Sequence, residues 1–173
     1  AGLYAHGSFK DVDGRFHTNS GRGKLFTSES ELPFGRNLTS GIYAFTNSMA
    51  YVAPIGESAL KVADGATVTL FVPAGVTVLL KGGDAEGTMG AGAGIEVPMD
   101  AKLYVIGEGT LDVFGGKAAN GANGARGGDG RVTESPDWCY SGAGGNGGAG
   151  GGGAGAGIGG KGGNGGAGGA GGA

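Results

Sequence analysis

Of the 173 residues, 46 are Gly and five are Pro, and the formal net charge is −3. Ordinary globular chains hold Gly near 7%, so a single domain around one large core is excluded as a first expectation. The small charge and the scatter of 12 Lys and Arg, whose densest grouping is Arg22-Gly23-Lys24, exclude nucleic acid as a partner. No apolar stretch reaches the roughly 18–20 residues that cross a bilayer, and membrane insertion is not expected.

Residues 1–40 are polar and mixed, with short apolar pairs such as Leu3-Tyr4 and Leu25-Phe26. They read as an irregular arm of short strands and turns, able to donate a strand to a neighbouring subunit. Asp11-Val12-Asp13-Gly14 opens like a calcium loop, but Arg22 stands where the bidentate Glu belongs, so a turn is expected. His6 and His17 have no Cys or carboxylate at ligand spacing. No metal or other cofactor is expected. Asn37-Leu38-Thr39 is an N-glycosylation sequon, which makes Asn37 a candidate modification site.

From residue 41 to 114 short β-branched runs alternate with Gly, Pro and Asp, as in Thr67-Val68-Thr69-Leu70-Phe71 and Thr77-Val78-Leu79-Leu80. No stretch has the helical period. The runs repeat: Leu60-Lys61-Val62, Thr67–Leu70 and Val76–Gly83 are echoed by Ile95-Glu96-Val97, Lys102–Val105 and Gly109–Gly116, offset by about 35 and then about 33 residues. A β-solenoid is therefore predicted, with one or two coils per repeat. Its inward set is Val62, Val68, Leu70, Val78, Leu80, Val97, Leu103, Val105, Leu111 and Val113.

At Gly115 the period changes to three. Gly recurs at 115, 121, 124, 127 and 130, and after a loop holding Trp138, Cys139 and Tyr140 two of every three residues are glycine. Period three is that of polyproline II, and glycine on two faces would let such segments pack and hydrogen-bond side by side. Collagen is excluded, because this tract holds a single Pro. The fold expected is all-β and essentially without α-helix: an arm over 1–40, a β-solenoid over 41–114 and a glycine-rich polyproline-II bundle over 115–173.

The run from Gly159 to Ala170, GGKGGNGGAGGA, resembles the glycine-rich polyproline-II bundle of snow flea antifreeze-like proteins, and is similar to the glycine-rich tips of phage adhesins. The region 41–116, with phrases such as Val72-Pro73-Ala74-Gly75-Val76-Thr77-Val78, looks like coils of secreted β-helical surface proteins. The antifreeze resemblance implies ice binding, for which Ala143, Asn146, Ala149, Asn164, Ala167 and Ala170 would form the face. The disulfides of that family have no counterpart here, since Cys139 is the one cysteine. The surface-protein resemblance implies a secreted, extracellular or cell-surface setting.

The carboxylates Asp64, Asp84, Glu86, Glu96, Asp100, Glu108 and Asp112 are scattered over turns and strands, and the expected role is not enzymatic. Three functions compete. The first is a structural subunit of a filament or surface assembly that self-associates, with Trp138, Cys139 and Tyr140 as candidate assembly or binding residues. The others are ice binding, and an adhesin module that recognises glycans.

Overall fold

The structure, a computed structural model, describes residues 4–10, 16–22, 24–26, 37–128, 131–132, 139–140 and 143–171. Among them there is no helix, and the fold is all-β and solenoid-like, dominated by parallel sheets.

An antiparallel hairpin of β1 (Tyr4–Lys10) and β2 (Phe16–Arg22) is followed by β3 (Lys24–Phe26). Three coils come next. The first carries β4 (Asn37–Leu38), β5 (Gly41–Phe45) and β6 (Met49–Val52). The second carries β7 (Leu60–Val62), β8 (Thr67–Phe71) and β9 (Thr77–Lys81), and the third β10 (Ile95–Glu96), β11 (Lys102–Ile106) and β12 (Thr110–Phe114). Between β12 and the last strand, β13 (Arg131–Val132) pairs antiparallel with β14 (Cys139–Tyr140). The chain then returns as β15 (Ile158–Gly159), which lies parallel on β10.

Stacking the coils makes three parallel sheets, in the orders β15-β10-β7-β4, β11-β8-β5-β3 and β12-β9-β6. Register follows the internal repeat: Leu60 pairs with Ile95, Thr67 with Lys102 and Thr77 with Thr110, so each repeat forms one coil. Corners are turned where glycine permits a positive φ. Gly65 (68°) and Gly75 (78°) complete turns in which the amides of Ala66 and Val76 donate to the carbonyls of Ala63 and Pro73.

Period-two alternation sends every other side chain inward, and parallel register stacks those side chains into columns. Tyr43, Leu70 and Val105 form one; Met49, Val78 and Leu111 a second; Tyr51, Leu80 and Val113 a third; Leu60, Ile95 and Ile158 a fourth. Val62, Val68, Leu70, Val78 and Leu80 are buried, as expected of the middle coil. The third coil differs. Val97, Leu103, Leu111 and Val113 pack on the core but are only partly covered, and Val105 is 45% exposed. Alternation assigns a side chain to a face; it does not say whether another coil lies above it.

The sheet holding β5, β8 and β11 is covered on its outer side too. Ala44, Thr69 and Ile106, which alternate out of the core, are buried, and β1 lies beside β11. Thr69 is thus withdrawn from the surface that its sequence context, Thr67-Val68-Thr69, suggests.

One buried polar contact joins the second and third coils. Ser58 is 3% exposed; its hydroxyl donates to the Glu96 carboxylate at 2.7 Å and accepts from the Ala93 amide at 3.0 Å. Ser58→Ala would strand that amide and one carboxylate oxygen, so a loss of about 2 kcal/mol in urea unfolding is expected. An unchanged midpoint would show that neither bond matters.

The glycine-rich segments make ladders of main-chain hydrogen bonds at every third residue. Ala119, Ala122, Ala125 and Gly128 donate to the carbonyls of Gly152, Ala149, Asn146 and Ala143 at 2.8–2.9 Å. Gly147, Gly150 and Gly153 donate to Gly169, Gly166 and Gly163 at 2.8–2.9 Å. Donor numbers rise as acceptor numbers fall in both ladders, so adjacent segments run antiparallel, with 143–153 between the other two.

Candidate functional site

The features to weigh are surfaces: the third-coil end of the solenoid, the corner where the solenoid joins the glycine-rich ladders, and the β13–β14 pair.

Among the described residues the third coil is one end of the stack, with β1 beside β11. β11 and β12 are terminal strands of their sheets, as is the two-residue β15. Above them the inward columns end in Leu103, Val105, Leu111, Val113 and Ile158, the last 52% exposed although its column partners Leu60 and Ile95 are buried. Phe114 is also half exposed and Met99 is fully so. A terminal strand carries backbone donors and acceptors that another strand can satisfy. Among the described residues this end thus combines partly exposed core side chains with terminal strands. At the opposite end β3 lies under β5, and Leu38 and Phe45 are 2% and 0% exposed.

The corner between the third sheet and the first is where the solenoid meets the ladders. In successive coils this corner is formed by 53–59 and by 82–94. After β12 it is replaced by the long excursion that returns at Ile158. Gly83 donates to the Glu57 carbonyl, Gly92 to Gly83 and Gly116 to Gly92, and Gly162 and Gly165 donate to Ala91 and Thr88, all at 2.8–2.9 Å. Solenoid and ladders therefore share one continuous network of main-chain bonds.

Charges hold the same corner. Lys61 donates to Glu57 at 2.8 Å, and Lys81 to Asp84 at 3.0 Å. The Lys61 hydrogen bond holds the Glu57 carboxyl below its ordinary range against a smaller opposing effect of burial. The Asp84 carboxyl is lowered first by the Lys117 amide, which donates to it at 3.0 Å, and then by Lys81. The first ties the corner to β7 within one coil, and the second ties it to residue 117, where the chain leaves the solenoid for the ladders. Among the described residues no group of three or more His, Cys, Asp or Glu is arranged to hold a metal ion, and no helix is long and apolar enough to cross a membrane.

The residues singled out from the sequence fall in different places. Asn37 is exposed in β4, where it pairs with Lys61. Thr39 of its sequon accepts, at the main-chain carbonyl, a 3.0 Å bond from the Tyr43 hydroxyl. Cys139 and Tyr140 form β14, in register with Val132 and Arg131, whereas Trp138 lies outside the described residues. Asp11–Gly14 also lie outside them; His6 and His17 fall at separate rungs of the hairpin, opposite Ser20 and Phe9.

Ala143, Asn146 and Ala149 lie on the central ladder segment, and Asn164, Ala167 and Ala170 on its neighbour. Two of these six are used internally: the Asn146 side-chain oxygen accepts from the Gly171 amide at 2.7 Å, and that of Asn164 from the Gly90 amide at 3.0 Å. The absence of a polar cap at either end of 41–116 is legible in the sequence; which coil is left partly uncovered is not, because the third carries the same Leu-Val pattern as the covered coil below.

Comparison with known protein families, with curated proteins and with solved structures gives no match.

Proposed function

We propose that this chain is a non-enzymatic structural protein of an extracellular or cell-surface assembly, in which a short β-solenoid is braced by a bundle of glycine-rich polyproline-II segments and self-associates through exposed sheet edges. The observation that carries the reading is the third coil, whose inward columns end in partly exposed Leu103, Val105, Leu111 and Val113 on β11 and β12, the terminal strands of their sheets among the described residues. Isolated monomers seldom leave bare core and free edges together.

The bundle assignment rests on the three-residue hydrogen-bond period, which is the polyproline-II repeat and neither the strand nor the helix repeat. It rests equally on Gly145, Gly148 and Gly151, where a Cβ would overlap the carbonyl oxygens of Ala125, Ala122 and Ala119. The division that follows is an arm to residue 40, a solenoid over 41–114 and a bundle over 115–173. β4 and β15 cross those bounds to join the sheet of β7 and β10. Assembly is preferred to ice binding because Thr69 is buried and because Asn146 and Asn164 serve as internal ties.

The test compares the full chain with one lacking residues 1–22, which leaves β3 and β4 in place, by negative-stain electron microscopy and light scattering over a concentration series. Oligomers in both are the expected result. Oligomers lost with the arm would assign the contact to strand donation by β1 or β2. A monomer under every condition removes the assembly reading.

A further inference from the structure

Four Asn-Gly pairs lie in the glycine-rich ladders: Asn120-Gly121, Asn123-Gly124, Asn146-Gly147 and Asn164-Gly165. Asn followed by Gly is chemically labile, because a glycine nitrogen has no neighbouring side chain to hinder its attack on the Asn carboxamide. Composition treats the four pairs alike, and all four asparagines are exposed. The hydrogen bonds separate them into two kinds.

In the central segment and its neighbour both reacting groups are held. The Gly147 amide donates to the Gly169 carbonyl at 2.8 Å, and the Asn146 side-chain oxygen accepts from the Gly171 amide at 2.7 Å. The Gly165 amide donates to the Thr88 carbonyl at 2.8 Å, and the Asn164 side-chain oxygen accepts from the Gly90 amide at 3.0 Å. A nitrogen that donates keeps its proton and its orientation, and a carboxamide tied to another segment cannot swing onto the nitrogen that follows it. On the segment 119–128 the rungs fall elsewhere: Ala119, Ala122, Ala125 and Gly128 donate. The three-residue period leaves Gly121 and Gly124 between rungs. Among the described residues neither their amides nor the Asn120 and Asn123 side chains make a hydrogen bond.

We propose that Asn120 and Asn123 are sites of spontaneous covalent modification, converted to aspartate and isoaspartate while Asn146 and Asn164 persist. The Gly121 or Gly124 nitrogen bonds to the side-chain carbonyl carbon of the preceding Asn. The bond from that carbon to the side-chain nitrogen breaks, and the peptide proton leaves with that nitrogen as ammonia. Water then opens the five-membered imide at either carbonyl. One opening gives aspartate; the other gives isoaspartate, in which the main chain runs through the former side chain.

Each conversion adds one negative charge, so two take the formal net charge from −3 to −5. Isoaspartate also adds one carbon to the main chain and puts the later rungs out of the three-residue period. Conversion at Asn120 displaces the bonds of Ala122, Ala125 and Gly128, and conversion at Asn123 those of Ala125 and Gly128. The segment 119–128 thus carries a chemical timer on its attachment to the central one.

The experiment incubates the full chain at mildly alkaline pH, native and in concentrated urea, and follows each site by peptide mapping. Cleavage after Lys117, Arg126, Arg131 and Lys161 separates the peptide holding Asn120 and Asn123 from those holding Asn146 and Asn164. In urea the four sites convert at similar rates. In the native chain Asn120 and Asn123 keep rates near their urea values, whereas Asn146 and Asn164 slow by roughly 30-fold, the factor for opening two hydrogen bonds together. Native rates that are equal at all four sites, fast or slow, overturn the assignment. The double variant Asn120→Gln, Asn123→Gln is expected to form almost no isoaspartate in the native state, since glutamine must close a larger ring; undiminished isoaspartate overturns the assignment as well. Hydrogen exchange on aged native protein is expected to show lost protection at Ala122, Ala125 and Gly128. Full protection there, with isoaspartate present, overturns the timer.

Discussion

Replacing Gly148 by alanine is expected to lower the midpoint of thermal unfolding by roughly 10 °C, whereas Gly166→Ala leaves it unchanged or raises it by a degree or two. Both glycines lie in tracts of nearly identical composition, and neither has a positive φ. The difference is what a methyl group would meet. At Gly148 it would overlap the carbonyl oxygen of Ala122, itself part of the segment that donates to 143–152; at Gly166 nothing lies within 4 Å.

A main-chain oxygen cannot rotate away as a side chain can. Relief requires the segments to separate, which lengthens hydrogen bonds such as Ala122 to Ala149 (2.8 Å) and Ala125 to Asn146 (2.8 Å). Gly166→Ala adds no clash and reduces the freedom of the unfolded chain, which accounts for its sign. Differential scanning calorimetry on the two variants decides the matter. Equal effects would mean that the ladders do not govern the stability of the folded chain.

This contrast also marks how far composition can be read. The three-residue period is visible in the sequence, and the ladders recur at that period. Which glycines are indispensable is not visible, because Gly165, Gly168 and Gly171 face neighbouring carbonyls while Gly163, Gly166 and Gly169 face open space, in one uninterrupted tract.

The solenoid shows a similar division. The repeat from Leu60 to Phe114 becomes stacked parallel register, with the inward set of the second coil buried as its alternation requires. The first coil carries no such signature, because it stands 24 to 29 residues from its partners: Asn37 pairs with Lys61, Gly41 with Val68 and Met49 with Val78. β15 is harder still. Ile158-Gly159 is a two-residue strand within glycine, and its place follows from the hydrogen bonds around it, among them Ile95 to Gly157 at 2.8 Å and Val97 to Gly159 at 3.1 Å. Exposure of Val105 and burial of Thr69 depend on which coil is last and which face is covered, properties of the assembled stack that no local pattern carries.

The difference in burial along one column leads to a second large expected effect, from a side-chain truncation. Tyr43, Leu70 and Val105 occupy one inward column, with relative exposures of 8%, 0% and 45%. Leu70→Ala removes three carbons from a site with a coil above and a coil below. The column cannot collapse along its axis, because the hydrogen-bonded strands on either side fix the spacing at about 4.8 Å. The residual cavity therefore adds to the lost transfer free energy, and a destabilisation of about 3–4 kcal/mol is expected. Val105→Ala, at the top of the same column, removes two carbons from a half-exposed site and should cost about 1 kcal/mol or less in dilute solution. The small value is conditional on the monomer: if self-association covers the third coil, Val105 becomes buried, and its truncation should cost more as protein concentration rises, while the Leu70→Ala penalty stays constant. Urea unfolding of both variants at about 1 µM and about 500 µM measures the two terms. A Val105→Ala penalty that does not grow with concentration would leave the open coil open in solution, and a Leu70→Ala penalty below about 1 kcal/mol would mean that the columns are not the core of the solenoid.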